Sequence, residues 1–348
     1  MLYLIDITGT CNLRCPSCPV GNFKEKLSMV RPKGFMPPAL FQRLGDKARN
    51  DCAKNNLPLT VALYNWGEPL IHPQIDEILA YLYNENIHFG LSSNFNTQMD
   101  LSLLLHYPPD MLRITVSGFA QEMYQKGHKG GDIELVKKNL IHLRKIMDEN
   151  THNLNVHIFY LIYKDNCDDN IKNMYDFTQK LNFGFFTGLA YFMPLENMIY
   201  SCDENYLNQN DKAVLNRLCF STKEVFEINQ NNPKSTSCDL LEKQVVLNYD
   251  GTVPLCCGVY SPEFAYLADY LKIELTDLQH LRRQNPLCKI CLENKLDWMM
   301  LQQPIDVYNL HLRRKQKEWN TPYWVNLQTF KGEVLPNPLV NNPYFQKE

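Results

Sequence analysis

Over the first 190 residues, short apolar runs alternate with stretches in which apolar residues recur every three or four positions. The runs are residues 2–8, LTVALYN at 59–65, IHFGLSSN at 87–94, MLRITVS at 111–117, NVHIFYLI at 155–162 and FGFFTGLAYF at 183–192. Segments 38–56, 73–86, 132–149 and 168–181 carry helical spacing, as with Ile75, Ile78, Leu79 and Leu82. Pro73, Asp132 and Asp168 mark helix starts. Strand alternating with helix implies parallel pairing, so the pattern predicts an α/β fold, a partial (β/α)6 TIM-like barrel. Chemistry in such folds gathers at the carboxyl ends of the strands, where TGTC, NWGEP, SSNFN and VSGF all fall.

Past residue 195 the repeat stops. The polar stretch 203–211 and NQNNPKSTS at 229–237 read as connection before a second, cysteine-rich unit. The expected organisation is a barrel core over 1–200, a linker over 201–237, a small C-terminal cysteine-rich α+β domain over 238–300 and an extension over 301–348.

A chain of 348 residues, 45% hydrophobic, buries a sizeable core and suggests about two domains. Its net charge of -3 gives no electrostatic footprint for nucleic acid or an anionic membrane. No secretory signal is present and no run of about 18 apolar residues, so a cytoplasmic protein without nucleic-acid or membrane partners is expected. Without a secretory signal, the twelve cysteines read as metal ligands or reduced thiols rather than disulfides.

Cys11, Cys15 and Cys18 form a C-x3-C-x2-C array directly after the first strand, one ligand short of a closed tetrahedral site. A structural zinc site wants four closed ligands, and the nearest histidine, His72, lies more than 50 residues on. A [4Fe-4S] cluster held by three thiolates leaves one iron open to a substrate or cofactor.

At these residues the chain resembles the radical S-adenosylmethionine (radical SAM) superfamily. The resemblance implies that the cofactor's amino and carboxylate groups chelate the open iron. It also implies that one electron, from an external flavodoxin- or ferredoxin-type reductant, cleaves the sulfonium to a 5'-deoxyadenosyl radical that takes hydrogen from a substrate. NWGEP at 65–69 looks like the family's GGEP motif, which assigns Gly67 and Glu68 to the cofactor's amino group. By the same resemblance Ser92, Asn94 and Ser117 sit where relatives hold the ribose and carboxylate, with Lys129 and Asn166 as further contacts. Two departures stand out. Ser17 replaces a residue commonly aromatic in the family, and Asn65 and Trp66 replace small glycines, which brings an indole to the edge of the cofactor pocket or into the core.

Cys238, Cys256, Cys288 and Cys291 supply four thiolates in two groups, which spacing alone allows to be a zinc ribbon. The C-x12-G-x4-C segment with a later C-x2-C also resembles the SPASM or shorter twitch module, which implies an auxiliary [4Fe-4S] cluster. VVLNYDGTVPLCC would be its hairpin, turning at Asp250-Gly251. No cysteine follows Cys291, so one auxiliary cluster is expected.

Of the remaining cysteines, Cys52 reads as a buried apolar residue. Cys257, next to a cluster ligand, and Cys202 are the candidate catalytic thiols, as hydrogen-atom donor or acid/base. Three functions follow. The first is oxidation or epimerisation at a carbinol carbon of a sugar or aminocyclitol. The second is oxidation or crosslinking of a ribosomally made peptide, against which the chain is expected to lack a leader-binding domain. The third is a non-enzymatic metal-stapled scaffold, for which an open three-cysteine site has no use.

Overall fold

The structure, a computed structural model, describes residues 1–22, 33–150, 153–230, 237–301 and 303–333. Strands β1 (Leu2–Ile5), β2 (Thr60–Leu63), β3 (His88–Ser93), β4 (Met111–Val116), β5 (Val156–Ile162) and β6 (Gly184–Leu189) fall inside the six predicted runs. With β7 (Gln244–Leu247) they form one sheet in the order β6-β5-β4-β3-β2-β1-β7. Every pairing in it is parallel. The result is an open α/β barrel.

Helices Pro38–Lys54, Ile75–Asn84, Ile133–Glu149 and Asp169–Lys180 occupy the predicted helical segments. Asp132 and Asp168 cap two of them by accepting backbone N–H groups of the first turn. Asn56, Asn86 and Asn182 take left-handed conformations just past three helix ends, where the chain turns into the next strand. Alternate strand residues then face opposite ways. Tyr3, Ile5, Val61, Leu63, Val245 and Leu247 join the helices in the main core. Leu4, Ala62 and Val246 form a separate cluster on the other, inner face.

Two expectations are corrected. VVLNYDGTVPLCC is not a free hairpin: its first arm is β7, the edge strand beside β1. The Asp250-Gly251 turn does form, with Gly251 at φ +81° and Asn248 N–H bonded to Thr252 O at 2.8 Å. Its second arm, β8 (Thr252–Val253), pairs instead with β9 (Ala268–Asp269). A strand buried along its whole length, with Val245, Val246 and Leu247 to pack, stabilises more by joining a buried parallel sheet than by closing a small hairpin. The segment expected as connecting loop also carries helices Gln209–Leu215 and Thr222–Gln230; residues 231–236 lie outside the described residues. After the helix Ile305–Glu318 the chain runs beside β6, where Gln328 N–H bonds Thr187 O at 2.9 Å and covers that edge. Among the described residues no helix is long and apolar enough to cross a membrane.

Candidate active site at the carboxyl ends of the strands

Asp6, buried just past β1, organises the loop after β2. Its carboxylate accepts Gly67 N–H at 2.9 Å and Trp66 N–H at 3.3 Å. Glu68 N–H then bonds Thr10 O at 2.9 Å. A Cβ on Gly67 would stand 1.9 Å from the Thr8 carbonyl oxygen, so only glycine lets the two loops meet. Glu68 is 4% exposed and its carboxylate accepts Ser93 Oγ at 2.7 Å, Asn94 N–H at 2.8 Å and Leu70 N–H at 3.1 Å. Burial nevertheless outweighs these donors and pushes its carboxyl up to about 7. A carboxylate has about four acceptor positions, so one remains for a ligand donor.

Asn94 carries the link on to the cysteines. Its Nδ2 donates to Cys11 Sγ at 3.6 Å and to Asn12 Oδ1 at 2.9 Å, while Leu13 N–H reaches the same sulfur at 3.4 Å. Cys18 N–H bonds Cys15 O at 3.0 Å, and Arg14 N–H bonds Lys129 O at 2.9 Å. Burial, with the Glu68 carboxylate and the neighbouring thiols, pushes the Cys11 thiol up to about 12, and burial and its neighbours hold that of Cys15 well above the usual thiol range. Cys11 and Cys15 therefore take thiolate form only with a cation beside them. Soft sulfur donors with N–H groups aimed at Cys11 suit an iron-sulfur cluster. Among the described residues no three His, Cys, Asp or Glu side chains reach the spacing of one shared ion, whereas a cubane, with irons at separate corners, takes wider-set thiolates.

The other expected contacts divide by exposure. Ser92 is on the inner face and accepts Arg113 Nε at 3.0 Å. Ser117 is buried, its Oγ 2.6 Å from His128 Nδ1, and the His128 ring stacks on Tyr124. Burial lowers His128 to about 4, so it is neutral. Asn166 is fully buried; its amide donates to Ser117 O and Leu161 O and accepts Tyr163 N–H, tying β4 and β5 together below the site. Lys129 is exposed and enters the network through its carbonyl. Ser17 bonds the hydroxyl of buried Tyr163 at 2.8 Å, so an aromatic ring from the end of β5 stands beside the residue that departs from the family.

The second cysteine set gathers on the C-terminal side. Cys238, Cys256, Cys288 and Cys291 line one cavity whose walls are Leu195, Leu255, Leu287 and other apolar side chains, with Arg282 as its charged member. Four thiols in an apolar enclosure fit a second cluster. Cys257, the next residue, packs instead with the inner-face residues Leu4, Ala62 and Val246, and burial pushes its thiol up to about 11. Adjacent thiols thus address the cavity and the barrel interior. Trp66 Nε1 donates to Val259 O at 3.0 Å and packs edge-on to Tyr260, so the indole is a strut between NWGEP and this loop. Glu196, buried after β6, accepts Tyr260 and Ser261 N–H on its other side. Cys202 is exposed; Cys52, Cys167 and Cys219 are buried.

Asp6, Tyr163 and Arg282 were missed from sequence. Asp6 had a signal, an acid at the end of an otherwise apolar strand. The other two depend on contacts across 146 residues for Tyr163 and across 27 to 42 for Arg282, which periodicity does not encode.

A partial parallel barrel with three cysteines after β1 and an acidic loop after β2 is the architecture of a radical-generating enzyme class. The sequence pattern of the Radical SAM superfamily matches residues 5–178, half of the chain, and the protein belongs to that superfamily. Membership implies S-adenosylmethionine and the [4Fe-4S] cluster that binds it. Among solved structures the fold is similar to Streptococcus suis SuiB bound to precursor peptide SuiA, at 13% identity and TM-score 0.54, covering 83% of this chain and 65% of SuiB. It is also similar to native anSMEcpe with bound AdoMet, at 14% identity and TM-score 0.53, covering 83% and 82%. The chain thus spans just under two thirds of SuiB. No curated protein matches.

Proposed function

We propose that the chain is a radical SAM oxidoreductase or epimerase acting at a carbinol carbon of a sugar or aminocyclitol held on the inner face of the barrel. The observation that carries this reading is the Cys256–Cys257 pair, with one thiol in the four-cysteine cavity and the next among Leu4, Ala62 and Val246. When bound, the cluster at Cys11, Cys15 and Cys18 and S-adenosylmethionine supply a 5'-deoxyadenosyl radical by one-electron cleavage of the sulfonium. Glu68, through its remaining acceptor position, receives the cofactor's amino group, and Gly67 keeps the loop close enough for that contact. Asn94 holds both Cys11 and the Glu68 carboxylate in register.

The inner face supports a polar, ring-shaped substrate. Arg113 lies 4.4 Å from the Tyr64 ring and 5.2 Å from that of Phe159, with Ser92 on its Nε. After loss of one hydrogen atom, a substrate carbon has two outcomes. Loss of a further electron to the C-terminal site and of the hydroxyl proton gives a carbonyl. Return of a hydrogen atom from Cys257 gives an epimer and a thiyl that needs one electron and one proton to reset. An auxiliary [4Fe-4S] cluster, held by four protein thiolates, suits the first outcome because it need not bind substrate.

A peptide is the alternative substrate class, the one named for SuiB with its precursor peptide SuiA. The test is 5'-deoxyadenosine formation by anaerobically reconstituted protein offered aminocyclitols and hexoses, or linear peptides. Stimulation by the first group, with a product lighter by two hydrogens or carrying one solvent deuterium, is expected. Stimulation by peptides alone refutes the carbohydrate reading.

A further inference from the structure

Arg282 sits in the helix Leu275–Gln284 and is 2% exposed. Its guanidinium donates to four backbone carbonyls: Leu255 O at 2.8 Å from Nε, Gln244 O at 2.8 Å and Leu241 O at 3.3 Å from Nη1, and Leu240 O at 3.3 Å from Nη2. Every acceptor is neutral, and no carboxylate among the described residues pairs with it. A guanidinium cannot shed its proton, so a full positive charge is buried with no opposite charge supplied by a side chain. That arrangement is costly unless an anion completes it, because hydrogen bonds to carbonyls replace hydration but do not cancel charge.

The location of the missing anion follows from the lining of the cavity. Arg282 borders the same enclosure as Cys238, Cys256, Cys288 and Cys291. The carbonyls it grips belong to residues 240–244, just past Cys238, and to Leu255, just before Cys256. One side chain thus ties together the two segments that deliver half of the thiols and sets its charge beside all four.

We propose that Arg282 is the built-in counter-ion of an anionic four-thiolate cluster in this cavity, and that it raises the cluster's affinity for an electron. The inference rests on the auxiliary-cluster reading above. One-electron reduction adds negative charge to a site that already carries it, and a fixed cation stabilises the reduced form more than the oxidised one. Arg282 is a positioning residue, acting on the potential rather than on substrate.

The test uses protein with Cys11, Cys15 and Cys18 replaced by Ala, so that only the C-terminal site can load. Iron and sulfide are counted and the reduction potential is read by electrochemical titration with electron paramagnetic resonance. Arg282→Met is expected to lower electron affinity at least tenfold, a shift of about 59 mV to more negative potential for a one-electron couple. Arg282→Lys keeps the charge while losing the fork to the carbonyls, and is expected to stay near the parent potential. Iron in both with equal shifts, or no shift in Arg282→Met, overturns the counter-ion role. Failure of both variants to fold or to load assigns Arg282 to pinning carbonyls and also overturns it. A parent protein without iron fails the auxiliary-cluster reading itself, an outcome distinct from the others.

Discussion

Replacing Glu68 tests how the site is held before any cofactor arrives. Glu68→Ala removes the acceptor of Ser93 Oγ and of two buried backbone N–H groups, those of Leu70 and Asn94. Each orphaned backbone donor costs about 1–3 kcal/mol, so a loss of roughly 2–6 kcal/mol is expected. Glu68→Gln keeps one oxygen and sets an amide N–H against the third donor, a loss of about 1–3 kcal/mol. The pH profile identifies the carboxyl itself. Burial raises the folded-state value to about 7 from 4.5, so its contribution is full below 4.5 and is lost as pH rises through 7. At 1.36 kcal/mol per unit that is about 3 kcal/mol. His128 runs the other way: lowered by burial from 6.5 to about 4, it contributes fully above 6.5 and loses that contribution as pH falls toward 4. The two slopes oppose each other in the wild type, so the difference between Glu68→Gln and wild type isolates Glu68. In urea unfolding of the metal-free, reduced protein, the penalty of Glu68→Gln should be largest near pH 4.5 and vanish or reverse by pH 7, a change of about 3 kcal/mol. A penalty independent of pH, or an Ala variant as stable as wild type, refutes the reasoning.

Gly67→Ala should destabilise the metal-free protein by several kcal/mol in the same assay, because the added Cβ meets the Thr8 carbonyl oxygen at 1.9 Å and neither backbone can turn aside. In reconstituted protein, Glu68→Ala should weaken S-adenosylmethionine binding tens-fold by calorimetry, the loss of one charge-assisted hydrogen bond of about 1.5–3 kcal/mol. Iron analysis of the wild type should give about eight irons, falling to about four when Cys238, Cys256, Cys288 and Cys291 are replaced by Ala. Stoichiometric zinc in the wild type would contradict that assignment. Cys257→Ala should abolish solvent deuterium in an epimerised product while 5'-deoxyadenosine still forms; an unchanged product at an unchanged rate returns Cys257 to packing.

The barrel was legible because each of its first six strands announces itself locally as an apolar run, and four of them lead to a long amphipathic helix, two of those capped by an aspartate. Strand β7 was not, because its partner β1 lies more than 240 residues away and the Asp250-Gly251 turn beside it gives a strong local hairpin signal. At the site, the cysteine spacings and NWGEP were readable as motifs. The residues that hold those motifs were not: Asp6 under Gly67, Asn94 between Glu68 and Cys11, Tyr163 on Ser17. Their roles exist only once strand ends converge. Trp66 shows the limit from the other side, since its indole reaches Val259, a contact that neither motif could suggest.

If Cys11, Cys15 and Cys18 hold the cluster, reductive cleavage of S-adenosylmethionine requires all three. Anaerobically reconstituted wild-type protein and a Cys11, Cys15, Cys18→Ala variant, each with S-adenosylmethionine and dithionite, are compared for 5'-deoxyadenosine by liquid chromatography and mass spectrometry. The wild type should form 5'-deoxyadenosine and the variant, holding about half the iron, should form none. Equal formation by both, or none by a wild type loaded with iron, would contradict the account.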